Sequence, residues 1–100
     1  RVIDIKRDIE DIIHQLTTPQ KPDVIFNNLH GRGGEDGIIQ SILEMLEIPY
    51  THSGVMASAL GMDKIASKQI AKSVGVQCPH HQILPEGASE KDITIAKPYV

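Results

Sequence analysis

The chain has 100 residues, 40% of them hydrophobic and 23% charged, with a formal net charge of -3. That composition describes one small folded domain or part of a larger one, not a disordered segment. It supplies no global positive field for nucleic acid or an acidic membrane surface. One cysteine, Cys78, excludes an internal disulfide and fits a reducing cytosol. No apolar run approaches the ~18 residues of a membrane span, and no signal peptide is visible. The first residue is Arg1, and Ile95 to Val100 reads as a strand beginning, so both ends read as cut and the chain as a fragment.

In chain order, Arg1 to Ile5 predicts a short strand through Val2, Ile3 and Ile5. Asp8 is placed to N-cap a helix from Ile9 to about Leu16, with Ile9, Ile12, Ile13 and Leu16 on one face. Thr17 to Pro22 breaks it. Asp23 to Asn27 predicts a second strand, whose continuous apolar centre suits a parallel strand covered on both faces. A glycine-rich loop follows, Asn28 to Gly37, and then a helical stripe of Ile38, Ile39, Ile42, Leu43 and Leu46. Ile48 to Thr51 predicts a third strand. This alternation implies an α/β fold: a Rossmann-like parallel sheet with helices on both faces. Two helices are expected next, Gly54 to Leu60 and Asp63 to about Val74, the second stopped by Gly75. Strands at His81 to Leu84 and from Ile93 onward, a turn at Pro85 to Gly87 and a helical turn at Ser89 to Asp92 complete the reading. The change of pattern near Gly61 and Met62 marks a domain boundary, giving segments 1–61 and 62–100.

The loop places four glycines within seven residues, Gly31, Gly33, Gly34 and Gly37. It is not a phosphate-binding P-loop, because Ile38 follows Gly37 where Lys-Ser/Thr is needed. It is not the dinucleotide fingerprint either, because Asp36 stands where the third glycine belongs. A tight turn and a ligand loop both remain open. His30 lies just past the carboxyl end of a predicted parallel strand, where open α/β sheets place ligands. A protonated imidazole is a double donor suited to a carboxylate; a histidine bonded to the loop backbone is the competing reading. Arg32 could reach an anion or simply be exposed. Glu35 and Asp36 are read as carboxylates favoured at a helix N-terminus, in preference to metal or acid–base groups.

His80 and His81 make a poor metal pair, since neighbouring side chains on a strand diverge. Cys78 has no activating base beside it and reads as a packed thiol. Lys64, Lys68 and Lys72 form a solvated face, although a lysine at a helix start could reach a phosphate. Ser67 to Val76 has the look of a DNA-binding helix-turn-helix, but Pro85 leaves its second helix under two turns, and the net acidity opposes it.

Taken together, Asp23 to Gly37 followed by Ile39-Gln40 resembles the central segment of D-alanine–D-alanine ligases. Ile48-Pro49-Tyr50-Thr51-His52-Ser53-Gly54-Val55-Met56-Ala57-Ser58-Ala59-Leu60-Gly61-Met62-Asp63-Lys64 resembles the family's next signature, as does Lys68 in the helix that follows. The motifs stand in the family's order, and the likeness is strongest from Pro22 to Gly75. His52 departs from it, where a small, glycine-like residue is common.

The resemblance implies a cytoplasmic ATP-grasp enzyme of peptidoglycan synthesis, serving cell-wall biogenesis and cell shape. ATP would phosphorylate one D-alanine carboxylate, and the amine of a second D-alanine would attack the acyl phosphate. Such chemistry rests on positioning and on charge neutralisation by Mg²⁺ or Mn²⁺. By the same resemblance His30 lies at the first D-alanine subsite, and Lys64 approaches the ATP phosphates. Residues 1–61 would belong to the substrate domain. The helix from Asp63 would be a hinge, with the start of an ATP-grasp domain over 62–100. The resemblance places a glutamate for the first D-alanine before Arg1. It places further lysines, an arginine, a mobile loop and the metal carboxylates after Val100, so the 100-residue piece is expected to be inactive alone. Partners would be the small molecules D-alanine and ATP, not nucleic acid or membrane, and a homodimer is compatible with it. A ligase using D-lactate or D-serine as second substrate is the nearest alternative. A non-catalytic flavodoxin-like module, in which Gly34 to Asp36 form a cap and nothing more, is the other.

Overall fold

Four helices carry the structure, a computed structural model that describes residues 1–97. They are α1 (Ile9–Thr17), α2 (Ile38–Met45), α3 (Val55–Met62) and α4 (Lys64–Ser73). A single 3₁₀ turn, Glu90–Asp92, follows. The chain divides into two compact units, one of Arg1–Ser67 and one that begins at Lys68. None of the described helices is long and apolar enough to cross a membrane.

In the first unit, Asp8 caps α1 by accepting from Glu10 N and Asp11 N at 3.0 and 3.2 Å. The apolar spacing then buries Ile12 and Leu16 against Ile39 and Leu43 of α2, with Ile48 completing the buried cluster. Ile3, Ile5, Ile25 and Leu29 pack on its margin. α2 is preceded by Gly37 at its N-cap, where φ is +94° and a Cβ would stand 2.8 Å from the Val55 carbonyl oxygen, leaving no place for a side chain. It ends at Glu47, itself left-handed at φ +55°. There Ile48 N reaches back to Leu43 O at 2.9 Å and Glu47 N to Glu44 O at 3.0 Å, a Schellman ending. Lys21 Nζ donates to the Leu46 carbonyl at 3.1 Å, which satisfies another helix-end acceptor. Asp63 accepts from Ile65 N and Ala66 N at 2.9 and 3.0 Å and so opens α4.

The expected parallel sheet is reduced to one parallel bridge, Ile25 to Tyr50. Ile25 N donates to Pro49 O at 2.8 Å, and Thr51 N donates to Ile25 O at 3.0 Å. The next rung would join Asn27 N to the Thr51 carbonyl. The Thr51 hydroxyl takes that N–H instead, at 3.1 Å, and His52 turns away at φ +86°. The strand expected at Arg1 to Ile5 forms no ladder among the described residues, although Ile3 and Ile5 face the core while Val2 and Asp4 face out. A strand needs a neighbour as well as alternation. The second segment is covered on one face only: Ile25 packs inward while Val24 and Phe26 lie exposed.

In the second unit, Gly75 N bonds Lys72 O at 3.1 Å and Val76 N bonds Ala71 O at 2.9 Å, so α4 ends at Gly75 as its sequence predicts. Ala88 N closes the Pro85 turn at 3.1 Å. The strands expected at His81 to Leu84 and from Ile93 do not form over the described residues; Pro98 to Val100 lie outside them. The Gln82 side chain takes the place of a ladder. Its Nε2 donates to Asp92 O at 2.6 Å, and its Oε1 accepts from Thr94 N at 2.7 Å. Ser89 and Asp92 form a capping box, and the Ser89 amide and hydroxyl hold the Asp92 carboxyl below its ordinary value of 3.8.

Candidate functional site

The loop from Asn27 to Gly37 is anchored from beneath by amide side chains. Asn27 Nδ2 and Gln40 Nε2 both donate to the Gly34 carbonyl, at 3.1 and 2.9 Å. Asn27 Oδ1 accepts from Leu29 N at 3.0 Å and so starts the loop. Gln40 is 1% exposed, and its Oε1 has no hydrogen-bond partner among the described residues. Gly34 passes so close to Leu29 that a Cβ there would stand 2.5 Å from the Leu29 Cβ.

From above, the loop is held by its own carboxylates. Asp36 accepts from Gly33 N at 2.9 Å and from Ile38 N at 3.3 Å. The Gly33 amide, with Ile38 adding, keeps its carboxyl below the ordinary 3.8. Glu35 accepts from Gly31 N at 2.5 Å. The helix-start reading therefore holds for only one oxygen of Asp36. Glu35 lies outside the first turn of α2 and serves the loop, because the chain turns back on itself at Gly31.

His30 stands at the crest, its side chain 79% exposed, with Nδ1 3.7 Å from Glu35 Oε1. Beside it runs a groove of about 680 Å³, with Leu29, Ile38, Ile39 and Ile42 along it and with Lys6, Arg7, His30 and Arg32 contributing nitrogen-bearing groups. Arg7 Nη2 donates to Arg32 O at 3.2 Å, which joins the end of the first segment to the loop. Apolar walls beside Arg7 and Arg32 suit a small ligand bearing an anionic group, with the Asp8 carboxylate also on the lining. Lys64 does not line this groove. It is exposed at the start of α4, with Nζ 3.4 Å from Gly61 O. The structure therefore does not bring His30 and Lys64 together in one pocket.

Among the described residues no group of three or more His, Cys, Asp or Glu side chains is placed to hold a metal ion. Glu35 and Asp36 engage backbone amides instead, so these residues do not fit a Mg²⁺ site. Cys78 is half-buried, its thiol 3.9 Å from Lys68 O, consistent with a packed thiol. Sequence reasoning gave no part to Asn27, Gln40 or Arg7. The available signal was polarity out of place: an amide ending an apolar strand, and another inside the buried stripe of α2.

The family described as D-ala D-ala ligase N-terminus matches residues 4–53. A D-alanine–D-alanine ligase of Rhizobium meliloti (strain 1021) is 46% identical over 98 residues, covering 98% of this chain and 30% of the relative. D-alanine–D-alanine ligase B of Brucella suis biovar 1 (strain 1330) is 57% identical over 74 residues, 74% of this chain and 23% of the relative. Among solved structures, the D-alanine–D-alanine ligase of Coxiella burnetii superposes with a TM-score of 0.61 at 36% identity, over 68% of this chain and 20% of that one. That of Aeromonas hydrophila gives 0.63 at 28% identity, over 71% of this chain and 27% of that one. The chain thus spans about a third of the length of the curated relatives it matches. A profile match over residues 4–53, with that identity across nearly the whole chain, shows that it belongs to the D-alanine–D-alanine ligase family.

Proposed function

We propose that this chain forms the wall of the first amino-acid subsite in an ATP-dependent ligase that joins two D-alanines for peptidoglycan synthesis in the cytoplasm. The reading rests on one observation: the only histidine of the family-like loop crowns a groove with cationic groups, in a chain whose relatives carry the ligase name. His30 would orient the first D-alanine by accepting from its ammonium through Nε2. Arg7 and Arg32 would supply the field that holds an anion there. Lys64, at the head of the hinge helix that follows residues 1–61, would approach the ATP phosphates as a point charge. The metal, Mg²⁺ or Mn²⁺, would neutralise phosphate charge when bound. No described cluster in this chain fits it, so its ligands are assigned to other parts of the enzyme.

The test is D-alanine-dependent ADP release, with D-alanyl-D-alanine as product, by the protein expressed from its complete reading frame. D-lactate and D-serine are offered as second substrates in parallel. Dipeptide formation from D-alanine supports the reading. A depsipeptide or mixed dipeptide in its place would move the protein to the alternative specificity. ADP release with none of the three overturns it.

A further inference from the structure

We propose that Glu35 is the positioning residue for His30, an inference that rests on reading His30 as the side chain at the first D-alanine subsite. Glu35 is tied to the loop in both directions. Its N–H donates to Gly31 O at 2.9 Å, and its Oε2 accepts from Gly31 N at 2.5 Å. Gly31 is the residue after His30, so this closed ring fixes the backbone from which the imidazole projects. The other oxygen, Oε1, faces the ring at 3.7 Å from Nδ1, an ion-pairing distance longer than a hydrogen bond. One carboxylate therefore holds the peptide beside His30 and faces one of its two nitrogens.

The chemical consequence is an assignment of the nitrogens. A carboxylate beside Nδ1 favours the hydrogen on Nδ1, whereas a solvent-exposed neutral histidine mostly carries it on Nε2. Nε2 makes no hydrogen bond among the described residues, so with the hydrogen on Nδ1 it is an acceptor left for a ligand's donor, the ammonium of the first D-alanine, and a hydrogen moved onto Nε2 would oppose that contact. Asp36 also holds the loop, but through Gly33 and Ile38, and has no ion pair with the imidazole. Glu35 is thus distinguished from its neighbour by what it faces.

The experiment compares wild type, Glu35→Gln, His30→Ala and the double variant, each expressed from the complete reading frame. Two readouts are used: imidazole ¹⁵N spectra at a pH where the ring is neutral, and the KM and kcat for D-alanine. Glutamine can keep the Gly31 bond through its Oε1 while removing the charge. We expect Glu35→Gln to move His30 towards the Nε2–H tautomer and to raise KM about fivefold with little change in kcat. Adding Glu35→Gln to His30→Ala should change KM no further. Unchanged imidazole signals, or effects that multiply in the double variant, would overturn the proposal. If His30→Ala leaves KM unaltered, the subsite reading fails, and the imidazole spectra alone then decide whether Glu35 sets the ring.

Discussion

Asn27 and Gln40 direct their side-chain amides at the same acceptor, the carbonyl oxygen of Gly34. A carbonyl has two lone pairs, and this one uses both. The middle of the loop is thereby fastened to the end of an extended segment and to α2 at once. The two amides are not equivalent, because Asn27 also satisfies Leu29 N while Gln40 carries a buried oxygen with no partner among the described residues.

That difference predicts unequal costs. Asn27→Ala leaves the Leu29 N–H without its acceptor and should cost about 2 kcal/mol or more. Gln40→Met loses one bond to a carbonyl that keeps the other, and it removes an orphan acceptor from the interior, so its cost should stay near or below about 1 kcal/mol. Urea unfolding midpoints rank the two. The account fails if Gln40→Met is the more damaging.

Gly34 and Gly61 should respond to alanine with opposite signs. At Gly34 the new methyl meets Leu29 Cβ at 2.5 Å, and the loop must shift, at a cost of about 1–3 kcal/mol. Gly61 lies within α3, and beyond its own stretch of helix no described residue comes within 4 Å of the point a methyl would occupy, so Gly61→Ala should stabilise by about 0.5–1 kcal/mol. Thermal unfolding of both variants checks the pair.

Glu47→Gly should raise stability by roughly 0.5 kcal/mol, against the usual sign for a glycine. Its φ of +55° is unfavourable for a residue with a Cβ, and glycine relieves that while giving back some entropy in the unfolded chain. The bonds that end α2 come from backbone and remain. Denaturant midpoints for Glu47→Gly and Glu47→Ala separate the two effects, since alanine keeps the strain.

Two groups predict pH dependence at opposite ends of the scale. Asp36 has its carboxyl lowered from 3.8, so its contribution is present above that value and is lost as pH falls through the lower folded value. Asp36→Asn should flatten the acid limb of stability. Tyr50 is raised from 10.0 by desolvation, and by its hydrogen bond to Glu44 at 2.8 Å and that carboxylate's charge. Its contribution is full below 10.0 and disappears as pH rises through the raised value. Phenolate absorbance, taken as the difference from Tyr50→Phe, should titrate above 10.0 and move down in Glu44→Gln.

The helices were legible because each carries its own instructions. Apolar spacing in Ile9 to Leu16, the Asp8 cap and the Gly75 stop all act within a few residues. The strands were not legible in the same way. Val2 to Ile5 alternates as a strand should, yet alternation says only which face is buried; rungs depend on a neighbouring segment. Thr51 shows the same limit at one atom, since nothing in a threonine announces that its hydroxyl will replace its carbonyl as acceptor for Asn27 N. In the loop, the place of His30 beyond an extended segment could be read from the order of residues. The duty of Glu35 could not, because it depends on the turn that brings Gly31 back within reach.

The single bridge at Ile25 has a consequence for solubility. Ile25 directs its backbone groups towards Pro49 and Thr51, so those of Val24 and Phe26 face the opposite edge, where no described residue pairs with them. Phe26 is 75% exposed, which makes this edge sticky as well as open. Such an edge is a template for intermolecular pairing and aggregation. A lysine at Val24 would be the simplest gatekeeper when the 100-residue piece is handled by itself.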